Sequence, residues 1–318
     1  MANKTCWVLS NGIIGMDNQS FGLAHALGMN VIKKTVMPIA PWKYLPAQLW
    51  VKPLHSLGSD SDALAPPWPE VVIGTGRLTV ALSIAIKRAS GGRTFNVRIQ
   101  NPQVALRHFD WIVAPLHDRC KGGNVIETLG AVNSVTTERL QRAAEQFAPR
   151  LAHLPRPLLG VLVGGTNRCV RIDTALAHRL ADKLVYAATH HGAAIVVTPS
   201  RRTDPEVVAV LQQRLSNVAS VIWDGTGDNP YMGYLALADY LVVTADSVNM
   251  ASEACFTGKP VFIEGLTGAN NKFEQFHSEL QSRGYARPFT GELTDWHYPP
   301  LDETSRIASL LKQSMGLN

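Results

Sequence analysis

Residues 240–263 read YLVVTADSVNMASEACFTGKPVFI, and this stretch decides the fold. Two short β-branched runs, 240–243 and 260–263, enclose a segment of small residues that is long enough for a helix. Runs that are apolar throughout are typical of strands in parallel sheets, because helices cover both faces of such a sheet. The order strand, helix, strand therefore predicts an α/β protein.

The same alternation continues over the rest of the chain. Helical spacing is clear at 173–188 and at 205–215, where Asp204 is the expected N-cap and Pro205 the first helical residue. The order predicts two Rossmann-like domains, each a doubly wound parallel sheet. The predicted strands are 5–9, 71–73, 95–99, 111–114, 158–163, 194–198, 220–223, 240–243 and 260–263.

The boundary between the domains is predicted within residues 148–157, APRLAHLPRP, which contain three prolines and no periodicity. Such a composition is typical of an interdomain linker. We therefore expect an N-terminal Rossmann-like domain over 1–150 and a second one over 151–301. Residues 302–318 have helical spacing and could cross back to brace the first domain.

The composition fits a folded protein. Of the 318 residues, 46% are hydrophobic and 17% are charged, which excludes a disordered chain, a coiled coil and a collagen-like repeat. No apolar run reaches the roughly 18–20 residues that span a bilayer. Asn11 and Asp17 interrupt the N-terminal apolar run before any cleavage-site pattern, so we expect no signal peptide and a cytoplasmic protein.

The net charge of +5 is unevenly distributed. Residues 1–150 hold 16 Lys and Arg against 9 Asp and Glu, a net +7, whereas residues 151–318 hold 14 against 16, a net −2. A basic first half favours an anionic partner such as a membrane surface or a phosphorylated substrate, and a mildly basic solvated face explains it equally well. The basic residues are dispersed without a nucleic-acid-binding signature, so nucleic acid is not an expected partner.

The four cysteines predict neither a metal site nor a disulfide framework. Cys6, Cys120, Cys169 and Cys255 are widely separated, with no CxxC pair and no histidine at ligand spacing. Cys6 and Cys255 lie in apolar runs and are expected to be buried as small hydrophobic residues. We therefore expect no metal and no cofactor.

In open parallel sheets, ligands bind beyond the carboxyl ends of the strands, so the loops at those ends are the candidate sites. Gly164 and Gly165 follow the first strand of the second domain and precede a helix. Their backbone amides are expected to be bare and able to hold a pyrophosphate, to which Arg168 could add charge.

Two further loops of the second domain are candidates. Residues 198–203, TPSRRT, carry two arginines and several hydroxyl groups ahead of a helix, which indicates either a phosphate clamp or a solvated turn. Asn229 is either a helix cap or a ligand, and Tyr231 could lie beside a nucleobase.

The glutamate at 253 is the most informative single residue. Asp246 and Ser247 are expected at the mouth of a helix, and Glu253 lies six to seven residues further along this small, apolar segment. A carboxylate buried there without a partner is costly, and two ribose hydroxyls would supply the missing bonds. The alternative is an exposed glutamate that pairs with Lys259.

In the first domain, residues 10–15, SNGIIG, follow the first strand. Gly12 and Gly15 permit a tight turn, but the spacing is not that of a dinucleotide-binding GxGxxG motif. The loop is either a helix-capping turn or a cradle for an anion or an acceptor.

The candidate general bases also lie in first-domain loops. They are His117 and Asp118, which follow the strand at 111–114 and are expected to point into a cleft, and Asp17. A single histidine or aspartate in a loop is also commonly a cap or a surface group.

Residues 239–263 resemble the nucleotide-sugar half of the GT-B glycosyltransferases, especially the lipid-linked MurG-like group, in which a strand, a small-residue turn and a helix with a glutamate precede GKPV. The chain as a whole resembles the ELM1-like family, bacterial and plant proteins named for a mitochondrial fission factor and described as glycosyltransferases or sugar-nucleotide enzymes. The motifs that carry this resemblance are NGIIGMDNQ (11–19), QNP (100–102), PLHD (115–118), GG (164–165), SRRT (200–203), TADSVNMASE (244–253), KF (272–273) and FH (276–277).

The resemblance implies a GT-B fold, in which two Rossmann-like domains face each other across a cleft. It implies that the acceptor binds to 1–150 and the nucleotide-sugar donor to 151–301, where Glu253 would hold the ribose. The implied donor site further comprises Gly164, Gly165, Thr166, Ser200, Arg201, Arg202, Asn229, Tyr231, Asp246, Ser247, Asn249 and Met250. The implied acceptor site comprises Asn11, Gly12, Gly15, Asn18 and Gln19. Asn11 departs from the family pattern, in which an acidic residue is expected.

The function that this resemblance implies is metal-independent glycosyl transfer from a nucleoside-diphosphate sugar, most simply a UDP-sugar, to a lipid-linked or cell-envelope acceptor. Arginines and helix N-termini can stabilise a departing diphosphate without a divalent ion. Two alternatives remain. A GT-B-like binding or scaffold protein without turnover is favoured by the departure at Asn11. A GT-B-type sugar-nucleotide epimerase would need an acid and base pair around the sugar, and no convincing carboxylate pair is visible.

Residues 40–54, APWKYLPAQLWVKPL, are aromatic, apolar and basic together. Trp42, Leu45, Leu49 and Trp50 could form one face of a short helix that lies in a membrane interface or covers a lipid acceptor. The alternative is an ordinary helix packed on the sheet. With the basic first half, this segment leads us to expect peripheral attachment to the anionic inner membrane.

Overall fold

The computed structural model describes residues 4–166, 170–265 and 271–316, with the backbone alone described for Asn271. The strands in this part of the chain are β1 (Thr5–Ser10), β2 (Asn30–Thr35), β3 (Val71–Thr75), β4 (Phe95–Ile99), β5 (Trp111–Pro115), β6 (Val125–Thr128), β7 (Leu158–Val163), β8 (Ala194–Pro199), β9 (Ser220–Ile222), β10 (Tyr240–Thr244), β11 (Val261–Glu264) and β12 (Ala286–Pro288). The helices are α1 (Ile14–Ala26), α2 (Val80–Ala89), α3 (Thr137–Leu151), α4 (Thr174–His191), α5 (Pro205–Arg214), α6 (Tyr231–Leu237), α7 (Val248–Phe256), α8 (Asn271–Ser282) and α9 (Glu303–Ser314).

The chain divides into two compact units, residues 1–134 with 302–318 and residues 135–301. The sheet of the first unit has the order β2-β1-β3-β4-β5-β6, and that of the second has the order β12-β11-β10-β7-β8-β9. Neighbouring strands within each sheet are parallel. Two doubly wound, Rossmann-like sheets are thereby confirmed. The strand order reverses between β1 and β3 and between β7 and β10, and ligands bind at such switch points in open α/β sheets.

The nine predicted strands are present, with bounds that differ by at most two residues. The sequence pattern does not predict β2, β6 and β12, which all lie at sheet edges. An edge strand has one neighbour and is incompletely covered, so it need not be uniformly apolar. In β2 this allows Lys33 and Lys34 within the strand.

The predicted helix starts at 173, 204 and 302 are confirmed by side-chain caps. Asp173 accepts a hydrogen bond from Leu176 N, Asp204 from Glu206 N and Asp302 from Ser305 N. A carboxylate in this position satisfies an N–H group that lacks a partner within the helix and interacts favourably with the helix dipole.

The predicted boundary at 150/151 differs from the division that the structure shows. Helix α3 continues to Leu151 with Pro149 inside it, so residues 148–151 are helical. The helix packs against α6 of the second unit, where a Cβ on Gly233 would lie 2.6 Å from the ring of Phe147. This close helix contact places α3 with the second unit, and the proline-rich composition does not reveal it.

Helix α9 packs in the first unit, against α1. Ile307, Ala308 and Leu311 are buried in the same core as Leu23, whereas Leu310 is 41% exposed. Glu303 accepts a hydrogen bond from Leu129 N at 2.6 Å. No described helix combines the length and apolar character required to cross a membrane.

Candidate functional site

The candidate site of the second unit lies at its switch point, where β7 and β10 end side by side. Gly164 N donates to Thr244 Oγ1 at 2.8 Å, and Gly165 N donates to Asp246 Oδ2 at 3.0 Å. Thr244 Oγ1 in turn donates to Asp246 Oδ1 at 2.6 Å. The two loops are therefore joined by a hydrogen-bonded network. Thr244 is a member of it that the sequence analysis did not select.

These bonds correct the prediction that the amides of Gly164 and Gly165 are bare. Both N–H groups already donate within the protein, because β10 places Thr244 and Asp246 beside them. Glycine is instead required at both positions for steric reasons. A Cβ on Gly164 would lie 2.0 Å from Asp246 Oδ2, and one on Gly165 would lie 2.3 Å from the backbone carbon of Arg202. The glycine pair thus permits three loops to pack closely.

Asp246 lies at the centre of this packing and is 3% exposed. Burial raises the pKa of its carboxyl group, while the bonds from Thr244 and Gly165 and the charge of Arg202 act in the opposite direction. The carboxylate therefore organises the loops around it.

The loop at 200–203 is fixed by its own hydroxyl groups. Ser200 Oγ accepts from Arg202 N at 3.2 Å, and Thr203 Oγ1 donates to Gly164 O at 2.6 Å. The side chains of Arg201 and Arg202 are exposed. The structure thus brings two guanidinium-bearing residues next to the glycine pair, on a loop whose backbone is held in place.

Helix α7 begins directly after Asp246. Ser247 caps it by accepting from Met250 N at 3.2 Å, and Asn249 and Met250 are half-buried in its first turn. The N-terminus of a nine-residue helix carries partial positive charge and lies here beside the switch point.

Glu253 lies on α7 and is 4% exposed. Its Oε2 accepts a hydrogen bond from the hydroxyl of Tyr231, while Oε1 has no hydrogen-bond partner among the described residues. Burial raises the pKa of this carboxyl group to about 7, against the opposing effects of Tyr231 and of the charge of Arg139. Burial, followed by the charge of Glu253, also raises the pKa of the Tyr231 hydroxyl.

The alternative in which an exposed Glu253 pairs with Lys259 is wrong. Lys259 instead donates to Leu235 O at 3.0 Å and Ala236 O at 2.5 Å, at the C-terminal end of α6. A cation there satisfies carbonyl groups and interacts favourably with the negative end of the helix dipole.

Two further predicted residues have local structural contacts. Asn229 Oδ1 accepts from Tyr231 N at 3.0 Å at the start of α6. Thr166 Oγ1 accepts from Ile172 N at 3.1 Å and thereby closes the loop before α4. Arg168 lies outside the described residues, as does Cys169.

His277 is a buried residue at this edge of the sheet whose contact the sequence analysis did not predict. Its Nε2 lies 2.9 Å from Ala245 O, and Nδ1 has no hydrogen-bond partner in the described part of the chain. Burial lowers the pKa of the ring. Its signal in the sequence is the FH motif at 276–277, which carried the resemblance without a role.

In the first unit, the loop after β1 is a hydrogen-bonded turn. Gly12 has φ +80° and donates to Ser10 Oγ at 3.2 Å, and Asn11 Oδ1 accepts from Ile13 N at 3.4 Å. Ser10 Oγ donates to Asp17 Oδ2 at 2.7 Å. Of the other residues of the implied acceptor site, Gly15 and Asn18 are half-buried and Gln19 is buried in α1.

The three candidate bases do not form one group. His117 and Asp118 lie in a short 3₁₀ turn after β5, with side chains 8% and 6% exposed and 3.9 Å between His117 Nε2 and Asp118 Oδ1. Asp118 Oδ2 also accepts from Asn101 N at 3.2 Å. Asp17 follows β1, and β3 and β4 lie between β1 and β5. At the usual spacing of neighbouring strands, β1 and β5 are therefore about 14 Å apart.

Arg98 is the buried charge that the sequence analysis overlooked, within the strand FNVRI. It is 2% exposed, and its Nη1 donates to Gly74 O at 3.1 Å and to Thr79 Oγ1 at 2.7 Å. Burial lowers the pKa of this guanidinium to about 9. The available signal was a charged residue in a strand that the sequence predicts to be buried.

The segment 40–54 does not form the predicted short helix. It contains two 3₁₀ turns, Ala47–Leu49 and Pro53–His55. Trp42, Leu45 and Trp50 pack toward the core of the first unit, but Leu49 is 57% exposed. The four predicted residues therefore do not share one face.

The second unit also contains a cavity of about 880 Å³ beside Arg156, Asp239 and Lys259. These residues precede β7, β10 and β11, so the cavity lies at the amino edge of the sheet, opposite the candidate site. No group of three or more potential metal-ligating side chains occurs among the described residues.

The chain matches the family model for mitochondrial fission ELM1 over residues 14–315. It is 33% identical over 275 residues to the mitochondrial fission protein ELM1 of Arabidopsis thaliana. This alignment covers 78% of the chain and 64% of the plant protein, so the chain spans less than two thirds of that relative.

Two solved structures share the fold at low sequence identity. UDP-GlcNAc 2-epimerase from Neisseria meningitidis, bound to UDP-GlcNAc, is 14% identical with a TM-score of 0.52, covering 99% of this chain and 100% of that one. MurG from Acinetobacter baumannii is 13% identical with a TM-score of 0.50, covering 99% and 91%. The predicted GT-B-like fold is thereby confirmed.

Proposed function

The chain belongs to the mitochondrial fission ELM1 family, and we propose that its second unit binds a nucleoside-diphosphate sugar, most simply a UDP-sugar, at the carboxyl edge of β7 and β10. The observation that carries this proposal is the carboxyl group of Glu253. It is buried beside the first turns of α7, yet one of its two oxygens has no hydrogen-bond partner in the described residues. Because Oε1 is not fully enclosed, a ligand can reach it, and a ribose hydroxyl would donate a hydrogen bond to this charged acceptor.

The proposed diphosphate position follows from the charges around the same edge. Because the amides of Gly164 and Gly165 are already bonded, the anion is assigned to the side chains of Arg201 and Arg202 and to the N-terminal turn of α7. The neighbouring structures that bear UDP-GlcNAc in their names share only the fold with this chain, and they support the choice of ligand class.

The test is calorimetric titration with UDP. Replacing Glu253 by Gln preserves the size of the side chain and removes the charged acceptor, so UDP affinity is expected to fall about 10- to 100-fold, the range for a hydrogen bond to a charged group. Glu274→Gln, on the exposed side of α8, is the matched control and should leave affinity unchanged.

A second ligand makes the test specific for the ribose. The wild type should bind 2′,3′-dideoxy-UDP as weakly as Glu253→Gln binds UDP. Glu253→Gln should bind 2′,3′-dideoxy-UDP and UDP with nearly equal affinity, because the hydrogen bonds to the ribose are already absent in the variant. Equal UDP binding by the wild type and Glu253→Gln, or no UDP binding by the wild type, would overturn the donor site.

For the reaction we propose metal-independent glycosyl transfer, with His117, Asp118 or Asp17 as the base. The low exposure of His117 and Asp118 and their contact with each other favour this pair over Asp17, whose carboxylate is bonded to Ser10. The measurement is the release of UDP from a UDP-sugar in the presence of a chelator. We expect His117→Gln and Asp118→Asn each to reduce its rate.

A binding protein without turnover is the second candidate. The observation that favours it is Asn11, whose side chain accepts from Ile13 N and so forms part of a turn where the family pattern has an acid. UDP binding without UDP-sugar hydrolysis, transfer or isomer formation would favour this candidate. A new sugar-nucleotide isomer, detected by proton NMR, would instead identify an epimerase.

For the acceptor and the location we propose a lipid-linked or cell-envelope molecule, met by a cytoplasmic protein at the anionic inner membrane. The support is the net charge of +7 over residues 1–150, because basic residues near a membrane surface are attracted to anionic lipids.

A further inference from the structure

The first unit contains a cavity of about 730 Å³ between α2 and residues 47–55. This volume lies within the roughly 300–1,000 Å³ that small-molecule sites occupy. The cavity is formed within the first unit and is separate from the donor site of the second. We propose that it binds the acyl region of one anionic phospholipid whose phosphate lies on the rim.

Nine of the fourteen described residues that line the cavity are apolar. On one side, Ala81, Ile84 and Ala85 follow the i, i+3, i+4 spacing that places residues on one face of α2. Trp50 and Leu54, from the segment with two 3₁₀ turns, line the opposite side. An apolar chain that enters this space is removed from water.

The rim is basic. Lys52, His55 and Arg88 line the cavity and are exposed, and His108 lines it while half-buried. None of the described residues that line the cavity is acidic. Burial is the main cause that lowers the pKa of His108, and the charges of Arg88 and Arg107 lower it further, which indicates a positive potential at this rim.

The nearest acid along the chain from His108 does not cancel that potential. Asp110 forms an ion pair with Lys87 at 2.6 Å and accepts from Asn96 N at 2.7 Å. A phosphate group on the rim would therefore meet cations that the protein leaves without a compensating carboxylate in the cavity wall.

The outer side of the segment at 44–52 is the reason that a bilayer lipid is the proposed occupant. Tyr44 is 73% exposed, Leu49 57% and Val51 66%, and the last two alternate with the cavity-lining Gln48, Trp50 and Lys52. One side of the segment thus faces the cavity, while the other presents apolar side chains that a lipid interface would cover. A free phosphate or a soluble metabolite would leave these side chains in water.

This proposal deepens the membrane half of the proposed function and is independent of nucleotide binding. The first experiment measures co-sedimentation of the full chain with phosphatidylcholine vesicles, with and without phosphatidylglycerol. Binding is expected only with the anionic lipid. Arg88→Gln should weaken it about fivefold, the effect of one basic residue at a membrane surface.

Lys33→Gln is the matched control, because it removes the same charge from an exposed position of β2 that does not line the cavity. A clearly smaller loss than for Arg88→Gln is expected. Equal losses in the two variants would show that charge alone attracts the protein, and would overturn the specific site. Vesicle binding that is indifferent to lipid charge would also overturn it.

The second experiment measures occupancy of the cavity by dihexanoyl-phosphatidylglycerol, below its micelle concentration, with native mass spectrometry. One bound molecule per chain is expected, displaced neither by inorganic phosphate nor by UDP. Ile84→Trp fills the cavity and should abolish the complex, whereas Ile32→Trp adds the same bulk at an exposed position of β2 and should preserve it.

Circular dichroism of both tryptophan variants establishes that they are folded. Absence of the one-to-one complex in the wild type, its persistence in Ile84→Trp, or its displacement by inorganic phosphate would each overturn the lipid site. Failure of the same preparations to bind UDP would contradict the proposed donor site and would not bear on the lipid site.

Discussion

At the scale of single residues, Glu253 and Arg98 illustrate how burial changes a charged group. Each is almost fully buried and forms no ion pair with another described residue. Burial therefore favours the neutral form of each group: it raises the pKa of Glu253 to about 7 and lowers that of Arg98 to about 9. Arg98 is bonded to a carbonyl and a hydroxyl group of its own unit. Arg98 Nε and Glu253 Oε1 both lack a hydrogen-bond partner in the described residues, but only Arg98 Nε is fully enclosed. A ligand can therefore reach the carboxyl group, and this difference favours a ligand-binding role for Glu253.

The raised pKa of Glu253 predicts a pH dependence of stability. Between the ordinary value of 4.5 and about 7, the folded protein binds the proton and the unfolded chain has released it. The free energy of unfolding therefore falls as the pH rises through this window, by something on the order of 3 kcal/mol from this group. Glu253→Gln cannot titrate and should lose this contribution.

Urea unfolding of the wild type and Glu253→Gln at pH 4.5, 5.5, 6.5 and about 7.5 measures the effect as a difference between the two proteins. The difference should grow in favour of the variant toward higher pH. The exposed Glu274→Gln should follow the wild type. Parallel curves for the wild type and Glu253→Gln would contradict a carboxyl group that titrates near 7. The same ionisation should tighten UDP binding as the pH rises through 7, because the ionised carboxylate is the better acceptor.

At the scale of secondary-structure elements, α9 shows that distance along the chain does not determine packing. It follows the second unit in sequence but packs in the first, where Ile307 is fully buried and Glu303 accepts from Leu129 N. The two hydrogen bonds from Gly164 and Gly165, which span 80 and 81 residues, follow the same rule in the second unit, since β7 and β10 are neighbours in the sheet.

Ile307→Ala should therefore destabilise the first unit by about 2–5 kcal/mol, the usual effect of removing a large buried aliphatic side chain. Leu310→Ala, on the same helix but 41% exposed, should change the free energy of unfolding by about 0.5 kcal/mol or less. Chemical unfolding measures the change in the free energy of unfolding. Hydrogen exchange of α1, in the first unit, and of α4, in the second, shows which unit is destabilised. A loss of protection in α4 equal to that in α1 would contradict the placement of α9.

At the scale of the whole molecule, each unit has its own six-stranded sheet and its own buried core. The proposed ligands are divided in the same way: the nucleotide sugar belongs to the second unit and the lipid to the first. A ligand that binds only the folded form of one unit stabilises that unit by mass action.

UDP at about 100 times its dissociation constant should stabilise the second unit by about 2.7 kcal/mol. Hydrogen exchange should show increased protection of β7, β10 and α7, with no comparable change in β1 and β3 of the first unit. Glu253→Gln at the same UDP concentration should show less protection. Equal protection of both units would contradict a donor site that is confined to the second.

Much of the fold follows from the sequence by itself. The nearly uniform apolar runs give nine of the strands, the expected cap at Asp204 and the helical spacing from 173 and 302 give three helix starts, and the alternation gives the parallel, doubly wound class. These features depend on neighbours within one turn or one strand, so a local pattern is sufficient. The same local reasoning places Glu253 on a helix after β10, where a buried carboxylate would be unusual.

Only the tertiary structure decided which groups are already bonded and which remain available. The amide of Gly164 has as its partner a hydroxyl 80 positions away, and Trp50 turns inward while Leu49 turns outward in a segment without regular periodicity. The assignment of α3 to the second unit and the cavity beside α2 also result from contacts between distant segments. Hydrogen bonds and burial are satisfied in three dimensions, and the sequence records the groups that need partners but not which distant segments supply them.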